Sequence, residues 1–215
     1  MLMKQNELER VLDILNENGA LEHIILIGSW AEYLYKEKEI LTNFKPNIRT
    51  LDIDFLIKNK NRPSKQINLP NIFKDENFIV EKDVISGVHR ILGDELEVEF
   101  LIKKVGAGLE NSIDTNIGIT ALSLRNLDLL EKNIIDVPFN GYYITIPKPE
   151  AYFLHKIIIN EERGMKKEKD KNSISNLSSY IDINNLNKIY NQLTKKQRDK
   201  VISFYKKNNM KSFIK

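Results

Sequence analysis

The stretch N-I-R-T-L-D-I-D-F-L-I-K-N-K, residues 47–60, decides how this chain is read. Asp52 and Asp54 stand inside an otherwise apolar run of Leu51, Ile53, Phe55, Leu56 and Ile57. Side chains of a strand alternate between its two faces, so the aspartates point one way while Leu51, Ile53 and Phe55 take the other, buried side. Their Cα atoms lie roughly 6.5–7 Å apart at ~3.3 Å per residue. Carboxylates at that spacing share one divalent cation or flank two. Burying two unpaired carboxylates is costly, so their face is solvated, metal-bound or paired with cations. An edge strand with one wet face carries the same pattern for no chemical reason, and the pair therefore needs a second signal.

L-E-V-E-F-L-I, residues 96–102, supplies one. Glu97 and Glu99 share a face, opposite Leu96, Val98 and Phe100. If this strand lies beside the first, a third carboxylate reaches the same cleft. Three acidic oxygens select hard cations such as Mg²⁺ or Mn²⁺ over zinc. The chain holds no cysteine, which excludes disulfides and thiolate metal sites.

A third signal is I-G-S-W-A-E-Y. The apolar strand H-I-I-L-I-G (23–28) ends at Gly28, and S-W-A-E-Y-L-Y-K-E-K (29–38) opens a helix with Ser29 as its expected N-cap. Free backbone N–H groups at such a junction, with the positive end of the helix dipole, suit a phosphate. Gly28 admits a close approach by ligand atoms. There is no G-x-G-x-x-G and no G-x-x-x-x-G-K-[ST], so dinucleotide and P-loop readings lose their main support.

Around these pieces the chain reads as an α+β protein, a small mixed sheet followed by a C-terminal helical bundle. Leu8, Val11, Leu12 and Leu15 recur at helical spacing until Gly19 stops them. Residues 39–50 form a loop, I-N-L-P-N-I-F-K-D-E-N is a short helix, and F-I-V-E-K-D (78–83) is extended. V-H-R-I-L-G-D-E-L-E-V-E-F-L-I-K (88–103) reads as a hairpin turning at Gly93-Asp94. Residues 119–133 give a strand and then a helix, and two short strands flank Asn140-Gly141. Pro147 and Pro149 mark a boundary between residues 1–147 and 148–215. Beyond it helices are expected at 150–163, 166–181, 184–193 and 195–208.

At 215 residues, with 41% hydrophobic and 29% charged side chains, the composition is that of an ordinary soluble globular protein. The start is charged too early for a signal peptide and the apolar runs are too short to span a bilayer, so a cytoplasmic protein without membrane contact is expected. Charge is unevenly placed. From Lys156 onward there are fifteen Lys/Arg against six Asp/Glu, whereas the first 155 residues hold eighteen against twenty-four. The basic end is either a set of solvated helix faces or a surface for phosphate-rich partners such as nucleotide or RNA. The same two readings apply to Lys166, Lys167 and Lys169, whose functional use is contact with a triphosphate or an RNA backbone. His23, His89 and His155 read as packing or surface residues, and Trp30 as core.

A strand ending in Gly-Ser, an Asp-x-Asp strand and a later acidic strand together resemble the nucleotidyltransferase superfamily typified by DNA polymerase β. Arg-Thr-x-Asp-Ile-Asp (49–54) resembles the subset with abortive-infection and MenT-like toxin nucleotidyltransferases. P-K-P-E-A-Y-F-L-H-K-I-I-I-N-E-E-R-G-M-K-K-E-K-D (147–170) is similar to a pattern of bacterial nucleotidyltransferase-like proteins. The resemblance implies phosphate binding at Gly28 and Ser29, metal binding and catalysis at Asp52 and Asp54, and a third carboxylate at Glu99 with Glu97 as its rival. It also implies nucleotide contacts from Arg49, Lys156 and Lys169. The implied cofactor is Mg²⁺ or Mn²⁺ with an NTP as co-substrate, and the acceptor is RNA, a protein or a small molecule. The competing expectation is a nucleotide-binding or toxin–antitoxin-type module without chemistry. Twenty-two residues separate Ser29 from Asp52, an insertion relative to compact family members, and the third acid is Glu where Asp is usual.

Overall fold

The structure is a computed structural model that describes residues 2–46, 50–108, 111–164 and 167–208. Helix α1 (Leu2–Glu17) buries Leu8, Val11, Leu12, Ile14 and Leu15 on one face. Gly19, at φ +65°, ends it in a backbone conformation that other residues rarely adopt. Strand β1 (Ile24–Ile27) runs into α2 (Gly28–Glu37), and β2 (Asp52–Ile57) follows the loop beyond it. Then come α3 (Leu69–Asp75), β3 (Ile79–Lys82), β4 (His89–Leu92), β5 (Glu97–Lys103), β6 (Ser112–Asp114) and β7 (Thr120–Leu124). A short α4 (Asp128–Lys132) leads to the hairpin of β8 (Ile134–Phe139) and β9 (Tyr142–Pro147). Four helices close the chain: α5 (Pro149–Ile159), α6 (Lys167–Ser178), α7 (Ile183–Asn191) and α8 (Lys195–Lys207).

The main sheet has the order β1-β2-β5-β4-β3, with β7 also paired to β5 and β6 paired to β7. Strand β2 is antiparallel to β1 and parallel to β5. On its other edge β5 is shared: β4 pairs with Glu97–Glu99 and β7 with Leu101–Lys103. The turn between β4 and β5 is held from outside. Both Glu7 carboxylate oxygens accept backbone N–H groups, from Asp94 at 2.7 Å and Glu95 at 2.8 Å. A Cβ at Gly93 would stand 1.7 Å from Glu7 Oε1, so that close approach requires glycine.

One side of β2 and β5 is core. Ile53, Phe55, Val98 and Phe100 are fully buried, and the Phe55 and Phe100 rings stack at 5.5 Å. The buried cluster runs without a break from Leu8 in α1 to Tyr205 in α8. Helix α5 is buried nearly all round, from Pro149 to Ile158. A helix without a wet face belongs inside its neighbours, and α4, α6, α7 and α8 pack about it. Pro149 starts it at a first-turn position, where a missing N–H costs nothing. Among the described residues no helix is long and apolar enough to cross a membrane.

Three details depart from the sequence reading. Leu51, expected on the buried side with Ile53 and Phe55, is 58% exposed, because the strand starts only at Asp52. The first helix begins at Leu2, ahead of its apolar stripe, with Leu2 and Met3 exposed. Strand β6 was not expected; three residues of mixed polarity carry no periodic signal, and their pairing to β7 forms the strand.

Phe100→Ala is expected to destabilise the protein by about 3–5 kcal/mol, because a buried aromatic leaves a cavity between two layers. Denaturant unfolding of the two proteins checks it.

Candidate active site

The parallel register of β2 and β5 sets Asp52 opposite Glu97 and Asp54 opposite Glu99. All four carboxylates therefore share the face opposite the Phe55/Phe100 core. The antiparallel register of β1 sets Ile27 opposite Asp54, so the chain leaves β1 at Gly28 directly beside that aspartate. Gly28 has φ +69°, and a Cβ built there would lie 2.2 Å from Asp54 Oδ2. Only glycine allows this approach of backbone to carboxylate. Helix α2 starts at Gly28 with Ile27 as N-cap and no side-chain cap. This corrects the expectation that Ser29 caps it: the glycine turn starts the helix one residue earlier and puts Ser29 inside the first turn.

A cleft of about 370 Å³ lies over this face, lined by Gly28, Ser29, Thr50, Asp52, Asp54 and Glu99 on the sheet side. Lys156, Arg163, Lys169 and Asp170 line it from the helices, and Leu101, Leu122 and Leu124 give it an apolar end. Of the two rival glutamates, Glu99 lines the cleft and Glu97 does not. Glu97 is drawn away by Arg90, whose Nε lies 3.0 Å from its Oε1, while the same guanidinium stands 3.8 Å from Glu99. Burial, then the charges of Asp54, Asp52 and Glu97, push the Glu99 carboxyl above its ordinary value, against a smaller opposing pull from Arg90. Among the described residues no group of three or more His, Asp or Glu side chains is set to hold a metal ion as it stands. The donor set is nonetheless all hard oxygen, and the part of the Glu99 shift that comes from its acidic neighbours is what a divalent cation would relieve.

Across the cleft the cations are less available than the sequence implied. The Lys156 ammonium is 3.0 Å from Asp170 Oδ1 and 3.7 Å from Glu32 Oε1, and lies over the Tyr152 ring. Glu32 also accepts from the Tyr152 hydroxyl at 2.9 Å and Ser173 at 2.6 Å. Asp170 binds Arg163 Nε at 2.9 Å through its second oxygen. Burial works to raise the Asp170 carboxyl, but Lys156 and Arg163 outweigh it and hold it below the usual range. His155 is pushed down to about 3 by burial, Lys156 and Arg163, so it is neutral at working pH. Lys169 lines the cleft from an exposed position. Arg49 lies outside the described residues. The sequence reading missed Arg163, Glu32 and Tyr152 as members of this site; only the packing of α2, α5 and the turn after α5 at the cleft identifies them. Trp30 is fully buried, as expected of a core residue, and His89 Nδ1 accepts from the Thr120 N–H at 2.9 Å.

Two outcomes are expected. Gly28→Ala costs about 1–3 kcal/mol from its strained φ and its collision with Asp54, measurable by urea unfolding. A raised carboxyl favours the folded state while protonated and opposes it as pH rises past its folded value. Glu99→Gln should therefore raise the melting temperature at pH 7 in metal-free buffer, with the gain vanishing below the ordinary carboxylate range. A gain that is the same at pH 3 and pH 7 would speak against that assignment.

The comparisons agree with this geometry. In fold the chain is similar to an antigenic nucleotidyltransferase-like protein from Paracoccidioides brasiliensis, at 14% identity and TM-score 0.54 over 95% of this chain and 89% of that one. It is also similar to the antibiotic-resistance factor ANT(2'')-Ia, at 10% identity and TM-score 0.50 over 97% and 94%. No curated protein matches by sequence. A nucleotidyltransferase family model matches residues 6–195, nearly the whole described chain, and the protein therefore belongs to a nucleotidyltransferase family.

Proposed function

We propose that the protein moves an NMP from an NTP to a hydroxyl acceptor, with Asp52, Asp54 and Glu99 as the reacting face. The observation that carries this reading is the β2/β5 register, which sets two carboxylates opposite two others beside an uncapped helix start. The N–H groups of the Gly28–Ser29 turn hold phosphate oxygens, favoured by the helix dipole. The acceptor oxygen bonds to the α-phosphorus, the bond to the bridging oxygen breaks, and pyrophosphate leaves. A Glu99 carboxylate oxygen receives the acceptor's proton, a task helped by its raised affinity for protons. Asp52, Asp54 and Glu99 would hold Mg²⁺ or Mn²⁺, which when bound neutralises phosphoryl charge and lowers the pKa of the acceptor hydroxyl. Glu97 is tied to Arg90 and serves as a rim charge.

RNA fits the acceptor side better than a polycation would. The exposed side of α8 carries Lys195, Lys196, Arg198 and Lys206, and Lys200 reaches from it to Glu162 at the cleft. A phosphate backbone gains from such a surface. The R-T-L-D-I-D stretch supports a relation to the abortive-infection and MenT-like branch. The alternative, a nucleotide-binding module without chemistry, draws on the open arrangement of the carboxylates, which are not gathered for a metal.

Asp52→Asn should abolish NMP transfer, by 10²-fold or more on the scale of removing one charge-stabilising group, with the melting curve kept. Each labelled NTP with Mg²⁺ or Mn²⁺ and a cell extract shows whether label enters RNA, protein or a small molecule. Transfer at the parent rate in Asp52→Asn would sink the mechanism; NTP binding without pyrophosphate release across all acceptors would favour the module.

A further inference from the structure

Arg163 enters the cleft from the turn after α5, and its side chain is 38% exposed. Its Nε donates to Asp170 Oδ2 at 2.9 Å. Among the described residues nothing else pairs with its guanidinium. An arginine anchored through Nε has its two terminal nitrogens left as a planar fork, the geometry that matches two oxygens of one phosphate.

The anchor is itself fixed. Asp170 is 3% exposed and its other oxygen takes the Lys156 ammonium at 3.0 Å. Lys156 in turn stands 3.7 Å from Glu32, which is bonded to Tyr152 and to Ser173 of α6. This chain of contacts ties α2, which begins at the Gly28 turn, to α5 and α6. Lys156 is 8% exposed and lies between two carboxylates, so its charge is already balanced. Freeing it for a phosphate would leave the Asp170 and Glu32 carboxylates buried with fewer partners, which a broken buried ion pair makes costly. Arg163 carries no such cost, because a phosphate binds the end that Asp170 does not use.

Resting on the nucleotidyl-transfer reading above, we infer that Arg163 is the cation that grips the nucleotide's phosphate tail. Asp170 and Lys156 are positioning residues that aim it and do not themselves meet the nucleotide. The phosphates then lie between two walls, the N–H groups of the Gly28–Ser29 turn and the Arg163 fork.

Calorimetry of each NTP with Mg²⁺ tests this in the whole chain. Arg163→Ala also takes one partner from the buried Asp170 carboxylate, so its melting temperature should fall, and affinity is read well below that temperature with the fold checked by circular dichroism. Its NTP affinity should fall about 10- to 100-fold, the range of a hydrogen-bonded charge pair. Asp170→Asn keeps the shape but weakens the anchor, and should cost less. Combined with Arg163→Ala it should add little, since both changes act through one guanidinium. An NTP-binding parent whose Arg163→Ala form binds equally well overturns the assignment of Arg163 alone. Losses that multiply fully in the double variant overturn the positioning role of Asp170. A parent that neither binds NTP nor transfers NMP overturns the underlying reading, and this one with it.

Discussion

Everything at the cleft depends on like charges held side by side. Parallel pairing of β2 with β5 forces Asp54 and Glu99 onto one face, because the opposite face of the same two strands is the Phe55/Phe100 core. Shifting either strand by one residue would put carboxylates into the core and phenyl rings into water. Hydrophobic burial on one side therefore sustains electrostatic repulsion on the other. Burial raises the Glu99 carboxyl most, and the charges of Asp54, Asp52 and Glu97 raise it further.

The surrounding structure serves this pairing. Helix α1 sends Glu7 to pin the turn that sets where β5 begins. Strand β1 delivers Gly28 against Asp54, so the start of α2 and a carboxylate are neighbours by register and not by chance of loop folding. Arg90 holds Glu97 outside the cleft, which leaves three of the four acids of β2 and β5 lining it. Opposite the sheet, Lys156, Arg163 and Lys169 bring positive charge to the cleft, with Glu162 and Asp170 among them.

Much of this was legible because the signals were local. The alternation in 52–57 and 96–102 marked the acidic faces, and Gly93-Asp94 implied the hairpin that joins β4 to β5, whose register centres it one residue later, on Asp94-Glu95. The Gly28 turn was legible as a glycine before a helix, but its cap was not, since a positive φ sets the helix start without a side chain. What stayed hidden was long-range. Glu97 and Glu99 look alike along the chain; only Arg90, on the neighbouring strand, separates them. Lys156 was recognisable as a cation on a helix. That two acids from α2 and α6 already hold it depends on how those helices pack, and spacing along a chain does not encode that.

The buried charges also bear on why the helices sit where they do. An ion pair such as Lys156–Asp170 gives up hydration that its attraction only partly restores, and apolar side chains of similar volume often serve stability as well or better. Stability alone is then a poor reason for Lys156, Asp170 and Glu32 to meet in the interior. Direction is a better one. Each contact in the group fixes an angle: Tyr152 and Ser173 orient Glu32, Glu32 and Asp170 centre Lys156, and Asp170 holds Arg163 by one edge of its guanidinium. A core of leucines would fill the same space and orient nothing. The group lies between the helix that begins at Gly28 and the helices that face the carboxylates, so it ties the two sides of the cleft to each other.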